Sequence, residues 1–217
     1  GSTRVAATGA AMGQAVGLAA ARCVDFLCLP RDLNDGDIDS IQQQLLREDH
    51  FVPELSNEDP DDMARDATAA ASSAQQGYEP QKILSGITRH RHGDDHQWRS
   101  ESGAEMPQYV ELAWDESREI RELQIVFDTG FQRPLTLTHS ERFNERITRG
   151  PQPETVSDYT IAVECGDRWV EVAHVHGNYQ RRRVHSFECL TARRVRVTCE
   201  ATHGADEAHG LEIREYR

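Results

Sequence analysis

The sequence predicts a mainly β protein, an antiparallel sandwich or jelly roll preceded by two α-helices. Three observations carry this. Seven short stretches alternate in polarity with period two: residues 109–114, 120–127, 159–164, 169–175, 184–187, 194–198 and 211–216. Gly, Asp and Pro separate them at irregular intervals. Residues 5–46, by contrast, place small and apolar side chains at helical spacing.

The first element is a helix over residues 5–27, with Thr3 as its N-cap, Phe26 and Leu27 closing its apolar face, and Pro30 as the stop. Gly9, Gly13 and Gly17 recur every fourth residue and form a stripe almost free of side chains. Glycine costs roughly 1 kcal/mol against alanine inside a helix, so three in register imply a backbone or a cofactor brought very close. Ile38, Ile41, Leu45 and Leu46 mark a second helix, capped at Asp37 or Asp39. Residues 53–62 are a polar connector with prolines, dividing the chain into units 1–57 and 58–217. Residues 67–73 supply the first strand, and the last strand, 211–216, is expected beside it. The segment 132–157 is too long for a hairpin turn and carries Arg133, Arg142, Arg146, Arg149 and Phe143. Long loops in compact domains are mostly functional or disordered.

Composition narrows the function. With 24 Lys and Arg against 37 Asp and Glu, the formal charge is −13. That argues against binding nucleic acid or an anionic membrane over the whole surface. The run between Arg4 and Arg22 is mostly Ala and Gly with Thr8 and Gln14 inside, short of the roughly 20 strongly apolar residues of a membrane span. It also lacks the Leu, Ile and Phe density of a signal peptide. Five cysteines, without paired CxxC motifs, read as reduced thiols of a cytoplasmic protein, with a Cys189–Cys199 bridge across strands left open.

Two resemblances add to this reading. Residues 2–21, followed by Leu29-Pro30-Arg31-Asp32-Leu33, resemble the C-terminal FAD segment of glutathione-reductase-like FAD-dependent oxidoreductases. The resemblance implies that Ser2, Thr3, Arg4, Val5 and Ala6 approach the flavin, mainly through backbone. Free N–H groups at a helix start stabilise charge developing on the flavin. A small-residue stripe serves a close helix–helix contact equally well. The phosphate-binding Gly-x-Gly-x-x-Gly is absent, so the rest of a flavin site would come from a missing N-terminal FAD and substrate domain or from another chain. The second resemblance covers about residues 62–217. Residues 63–73, Ile83-Leu-Ser-Gly-Ile-Thr-Arg89, Gln97-Trp98-Arg99-Ser100 and residues 107–112 are similar to galactose-binding-like, discoidin-type sandwiches. In many members of that family the loop at Ser85-Gly86 helps bind a structural calcium. Here Ser85 replaces the usual Asp, and no metal is assigned.

Ligand sites in this fold lie on loops at one end, which makes Arg89, Trp98, Arg133 and Arg142 the candidate ligand-binding residues. His90, His92 and His96, with Asp94 and Asp95, read as a solvated polar loop because the neighbouring arginines repel a cation. Residues 181–183 with Arg193 and Arg194 form a local basic patch, or the solvated face of a sheet. No Gly-x-Ser-x-Gly elbow or other catalytic constellation is present. The expected function is the C-terminal portion of an FAD-dependent oxidoreductase, inactive alone, whose sandwich is an ancillary domain with a carbohydrate as ligand. The alternative is a stand-alone carbohydrate-binding or protein-interaction sandwich.

Overall fold

The computed structural model describes residues 6–133 and 138–217. The chain divides into two compact units, Gly1–Asp59 and Pro60–Arg217.

In the first unit, α1 (Ala6–Phe26) leads through a 3-10 turn (Pro30–Asp32) to α2 (Asp35–Arg47). The N-cap of α2 is Asn34 rather than Asp37 or Asp39. Its Oδ1 accepts the Asp37 N–H at 3.1 Å, and Asp37 Oδ2 accepts the Asn34 N–H at 2.9 Å. This reciprocal box satisfies two otherwise orphaned donors and starts the helix two residues before the expected cap. Ile41, Leu45 and Leu46 are buried as the helical stripe requires, whereas Cys23 is the buried residue of α1. Phe26 and Leu27 do not close an apolar face. They are exposed, and Leu27 leaves the helix at a φ of 53°. The glycine stripe has no close neighbour either: a methyl group on Gly9, Gly13 or Gly17 would meet nothing within 4 Å.

The second unit is an antiparallel sandwich. Its strands are β1 (Thr68–Ala71), β2 (His90–Arg91), β3 (Asp94–Asp95), β4 (Trp98–Arg99), β5 (Gln108–Phe127), β6 (Val156–Cys165), β7 (Arg168–Val175), β8 (Arg182–Thr202) and β9 (His209–Tyr216). A short helix, α3 (Glu141–Asn144), lies between β5 and β6. The expected strands at 109–114 and 120–127 are one long strand, β5, and those at 184–187 and 194–198 are one strand, β8. The β5–β8 register breaks between Ala113 and Arg118 and again between Ile120 and Glu122. The break lets one ladder serve two layers. Residues 108–113 of β5 pair with β1 and with the C-terminal half of β8, which continues to β6 and β7. Residues 122–127 pair with the N-terminal half of β8 and with β9, which continues to β4. The last strand therefore lies beside β5 and β4, not beside β1.

Inward-facing residues of both layers form a single core that includes Ile83, Trp98, Leu112, Ile120, Leu123, Ile125, Phe127, Tyr159, Ile161, Val163 and Val197. Trp98 is wholly buried, and its Nε1 donates to the Ser73 carbonyl at 2.9 Å. Trp114 is buried as well, donating to the Met63 carbonyl at 2.9 Å. Both indoles satisfy their one polar atom, as buried tryptophans must. Outside the core, Arg194 pairs with Glu111 and Glu164, Arg196 pairs with Glu111, and both guanidiniums lie over the Trp169 ring. This part of the basic patch is thus matched by carboxylates across the strands. All five cysteines are free thiols, with Cys189 exposed and Cys199 buried.

Candidate functional site

The site is built where β5 ends. Asp128 follows the last core residue of the strand and is almost fully buried. Its Oδ1 accepts the Gly130 N–H at 2.9 Å, its Oδ2 lies 3.2 Å from His209 Nδ1, and its carbonyl accepts Thr155 Oγ1 at 3.0 Å. Burial works to raise the Asp128 carboxyl. The hydrogen bonds from His209 and Gly130, with the charges of His209 and Arg99, outweigh it and hold the group below the ordinary carboxylate range. The turn that follows requires glycine. Gly130 has a φ of 74°, and a Cβ there would fall 2.9 Å from Gln152 Cγ.

Arg133 then anchors the loop to the strand entering β6. Its Nε donates to Gln152 Oε1 at 3.0 Å, and its guanidinium pairs with Glu154. Gln152 in turn donates to the carbonyls of Thr148 and Gly150, both at 3.2 Å. Between these anchors Phe131 projects, half exposed, with the Arg89 and Arg181 guanidiniums 4.8 and 4.6 Å from its ring centroid. Arg181 is fixed by the carbonyls of Phe127 and Thr88, and Arg89 by the Thr88 carbonyl.

Phe131 and Tyr179 line one hollow of about 280 Å³, together with Thr129, Thr148, Gln152 and Thr155 and the turn at Gly150 and Pro151. No lining side chain is charged. Thr129 Oγ1 is buried and has no hydrogen-bond partner. Tyr179 is 69% exposed and also borders a second hollow of about 450 Å³ with Gly150, Pro151 and Gly177.

Of the residues expected to bind ligand, Arg89 and Arg133 reach this end of the sandwich, one beneath Phe131 and one bracing its loop. Arg142 is exposed on α3 and lines neither hollow. Trp98 is a correction: its ring belongs to the core and offers no surface to a ligand. Ser2, Thr3, Arg4 and Val5 lie outside the described residues, and Ala6 is the exposed first residue of α1. Thr129, Gln152 and Tyr179 were missed. The local signals for them were the Asp-Thr-Gly-Phe turn after a strand and the Gly-Asn-Tyr turn after β7.

The calcium implied by the family resemblance does not fit the residues present. Ser85 Oγ is engaged with the backbone of Ile87. The nearby Glu212 carboxylate accepts the Gly86 N–H and faces Arg214 Nε at 3.4 Å. A guanidinium thus already faces that group and would repel a second cation beside it. Among the described residues no three His, Cys, Asp or Glu side chains form a group able to hold a metal ion. No helix among them is long and apolar enough to cross a membrane.

With this architecture, the second unit is an antiparallel β-sandwich whose fold resembles that of family 32 carbohydrate-binding modules. No family model matches the sequence, and no curated protein matches it. Solved structures do. The family 32 module of Clostridium perfringens NanJ, in complex with galactose, superposes with a TM-score of 0.53 at 13% identity, over 71% of this chain and 96% of that one. Chitosan-binding module 1 of a Paenibacillus chitosanase/glucanase gives 0.53 at 19% identity, over 72% and 98%. The lectin domain of lectinolysin, complexed with Lewis b antigen, gives 0.51 at 14%, over 73% and 97%. Likeness at these identities establishes the fold. The covered share is about what the second unit contributes to the chain.

Proposed function

We propose that the second unit is a carbohydrate-binding module whose ligand enters the cleft between Phe131 and Tyr179. The observation that carries this is an uncharged cleft flanked by two exposed aromatic rings and lined by three threonines and a glutamine. A sugar presents hydroxyls on its edges and C–H groups on its faces. Thr129, Thr148, Gln152 and Thr155 make the lining polar without charge, and the rings supply apolar surface. The carbohydrate ligands of the fold neighbours support the reading: galactose, N-acetylgalactosamine-β-1,3-galactose and Lewis b. Calorimetric titration of the whole chain against a broad glycan panel is the test. Saturable binding that weakens on Thr129→Val is the expected result; silence across the panel overturns the proposal.

Residues 1–57 carry a separate proposal, on the sequence resemblance and the open glycine face of α1. In it, α1 is one wall of a flavin site that another domain or chain completes. Flavin absorbance tests it: an upstream-extended protein should purify yellow, and a colourless one removes the flavin reading.

A further inference from the structure

The cleft does not end at Tyr179. The second hollow shares Gly150, Pro151 and Tyr179 with the first, so the tyrosine ring stands between two adjoining depressions. Their chemistry differs. The first offers Thr129, Thr148, Gln152 and Thr155, whereas the second is walled by Gly177, Pro151 and the ring itself. One is suited to hydroxyls and the other to the C–H face of a ring. Each lies near the lower end of small-molecule sites, roughly 300–1,000 Å³.

The turn that carries Tyr179 is also held in place. Asn178 is buried, and its N–H donates to the Ser157 carbonyl at 2.7 Å. Its side-chain amide donates to the carbonyls of Val156 and Gln180 and accepts the Gln180 N–H, while its own carbonyl lies 2.7 Å from His203 Nε2. Five contacts from one side chain and its backbone fix the turn. The backbone that carries the exposed Tyr179 ring is therefore fixed before binding, which lowers the entropic cost of using it.

We propose that the site takes a glycan of at least two linked sugar units, one in the polar cleft and the next seated across Tyr179 in the second hollow. This rests on the carbohydrate-binding reading of the cleft. The second unit then contributes by stacking and burial, worth roughly a fivefold to tenfold gain over a single unit.

The experiment is calorimetry on the full chain with matched pairs: galactose against N-acetylgalactosamine-β-1,3-galactose, fucose against Lewis b, and glucosamine against chitosan oligomers. In at least one pair the longer ligand should bind about fivefold tighter or more. Gly177→Asn should then erase that gap and leave binding of the single sugar unchanged. Asparagine is among the residues that best tolerate the φ of 63° at this position, and a Cβ there meets nothing within 4 Å, so the variant puts a side chain at the second hollow with only modest backbone strain. Equal affinities within every pair, or a gap that survives Gly177→Asn, overturn the two-unit inference and leave the carbohydrate reading standing. No binding by either member of any pair overturns both.

Discussion

The backbone N–H of Glu215, in the last strand, donates to Asp62 Oδ1 at 3.0 Å. The bond ties the end of the sandwich to the segment that enters it, and it places two carboxyl groups together in the interior. Glu215 is fully buried and neither of its carboxyl oxygens has a partner. Burial, reinforced by the Asp62 charge, raises it well above the ordinary glutamate range. Burial also pushes Glu212 up to about 8; Arg214 works against this and Asp62 with it. An unfolded glutamate titrates near 4.3. The folded state therefore holds protons that the unfolded state has lost, and this contribution to stability is full below about pH 4.3 and drains away as pH rises toward 8. His185 runs the other way: burial and the Arg183 charge depress it to about 4, so its contribution is present above its unfolded value, near 6.5, and lost as pH falls. Between pH 7 and 8 His185 is largely neutral in both states. The melting temperature should fall by a few degrees across that interval, and Glu215→Gln should make the fall shallower. A flat profile in the unaltered protein would remove the buried carboxyls as its cause.

Trp98 separates a ligand-contact role from a structural one. Its side chain is wholly buried, packed in the core and bonded to the Ser73 carbonyl. Trp98→Ala should lower the unfolding free energy by about 3–5 kcal/mol, measured by urea denaturation. A stable variant with lost glycan binding would restore the tryptophan to the site.

Asp128 should act on binding through the loop it holds. Asp128→Ala strips partners from the Gly130 N–H and from His209, both deep in the protein, at a cost of about 1–3 kcal/mol. Phe131 and Thr129 sit on the turn so released, and calorimetry should show weaker glycan binding even where denaturation confirms a folded protein. Asp128→Asn keeps an acceptor for Gly130 and should recover much of both losses. Equal binding by the alanine variant would free the cleft from this network.

How far these features were legible depends on the distance between the residues that make them. The β texture was plain because alternation is local. The unity of β5 was not, since Asp115, Glu116, Ser117 and Arg118 interrupt the alternation where the register shifts and the chain passes between layers. Trp98 sits among His96, Gln97 and Arg99, which made it look like a loop residue. Its burial comes from a core and an acceptor 25 positions away. Arg89 and Arg133 were legible as loop cations, but their present roles, under Phe131 and against Glu154, depend on the fold. Thr129 and Tyr179 line one hollow although they lie 50 positions apart, and no short-range pattern announces that.

Calcium provides a further check on the Ser85 loop. Ser85 Oγ is engaged with the Ile87 backbone, and Glu212 Oε1 faces Arg214 while Oε2 is buried without a partner. Neither millimolar calcium nor a chelator should move the melting temperature. Arg214→Met should lower it by taking from the buried Glu212 carboxyl the guanidinium that faces it at 3.4 Å. A calcium-dependent rise in the unaltered protein would mean that this loop binds the ion despite its own arginine.

The glycines of α1 give the sharpest discrimination between the two accounts of the N-terminal unit. Gly9, Gly13 and Gly17 lie inside a 21-residue helix, and a methyl group at any of them meets nothing within 4 Å. If the helix stands as it does here, Gly13→Ala has only the backbone-entropy effect and should stabilise the first unit by about 0.5–1 kcal/mol, seen as higher helicity and a later unfolding transition. If the stripe is instead a contact surface for a flavin domain, the added methyl group enters an interface built for bare backbone. The same substitution in an upstream-extended protein should then loosen flavin, read as lost absorbance on dialysis. Stabilisation in the 217-residue chain together with unchanged flavin retention in the longer one would leave the stripe without a cofactor to explain it.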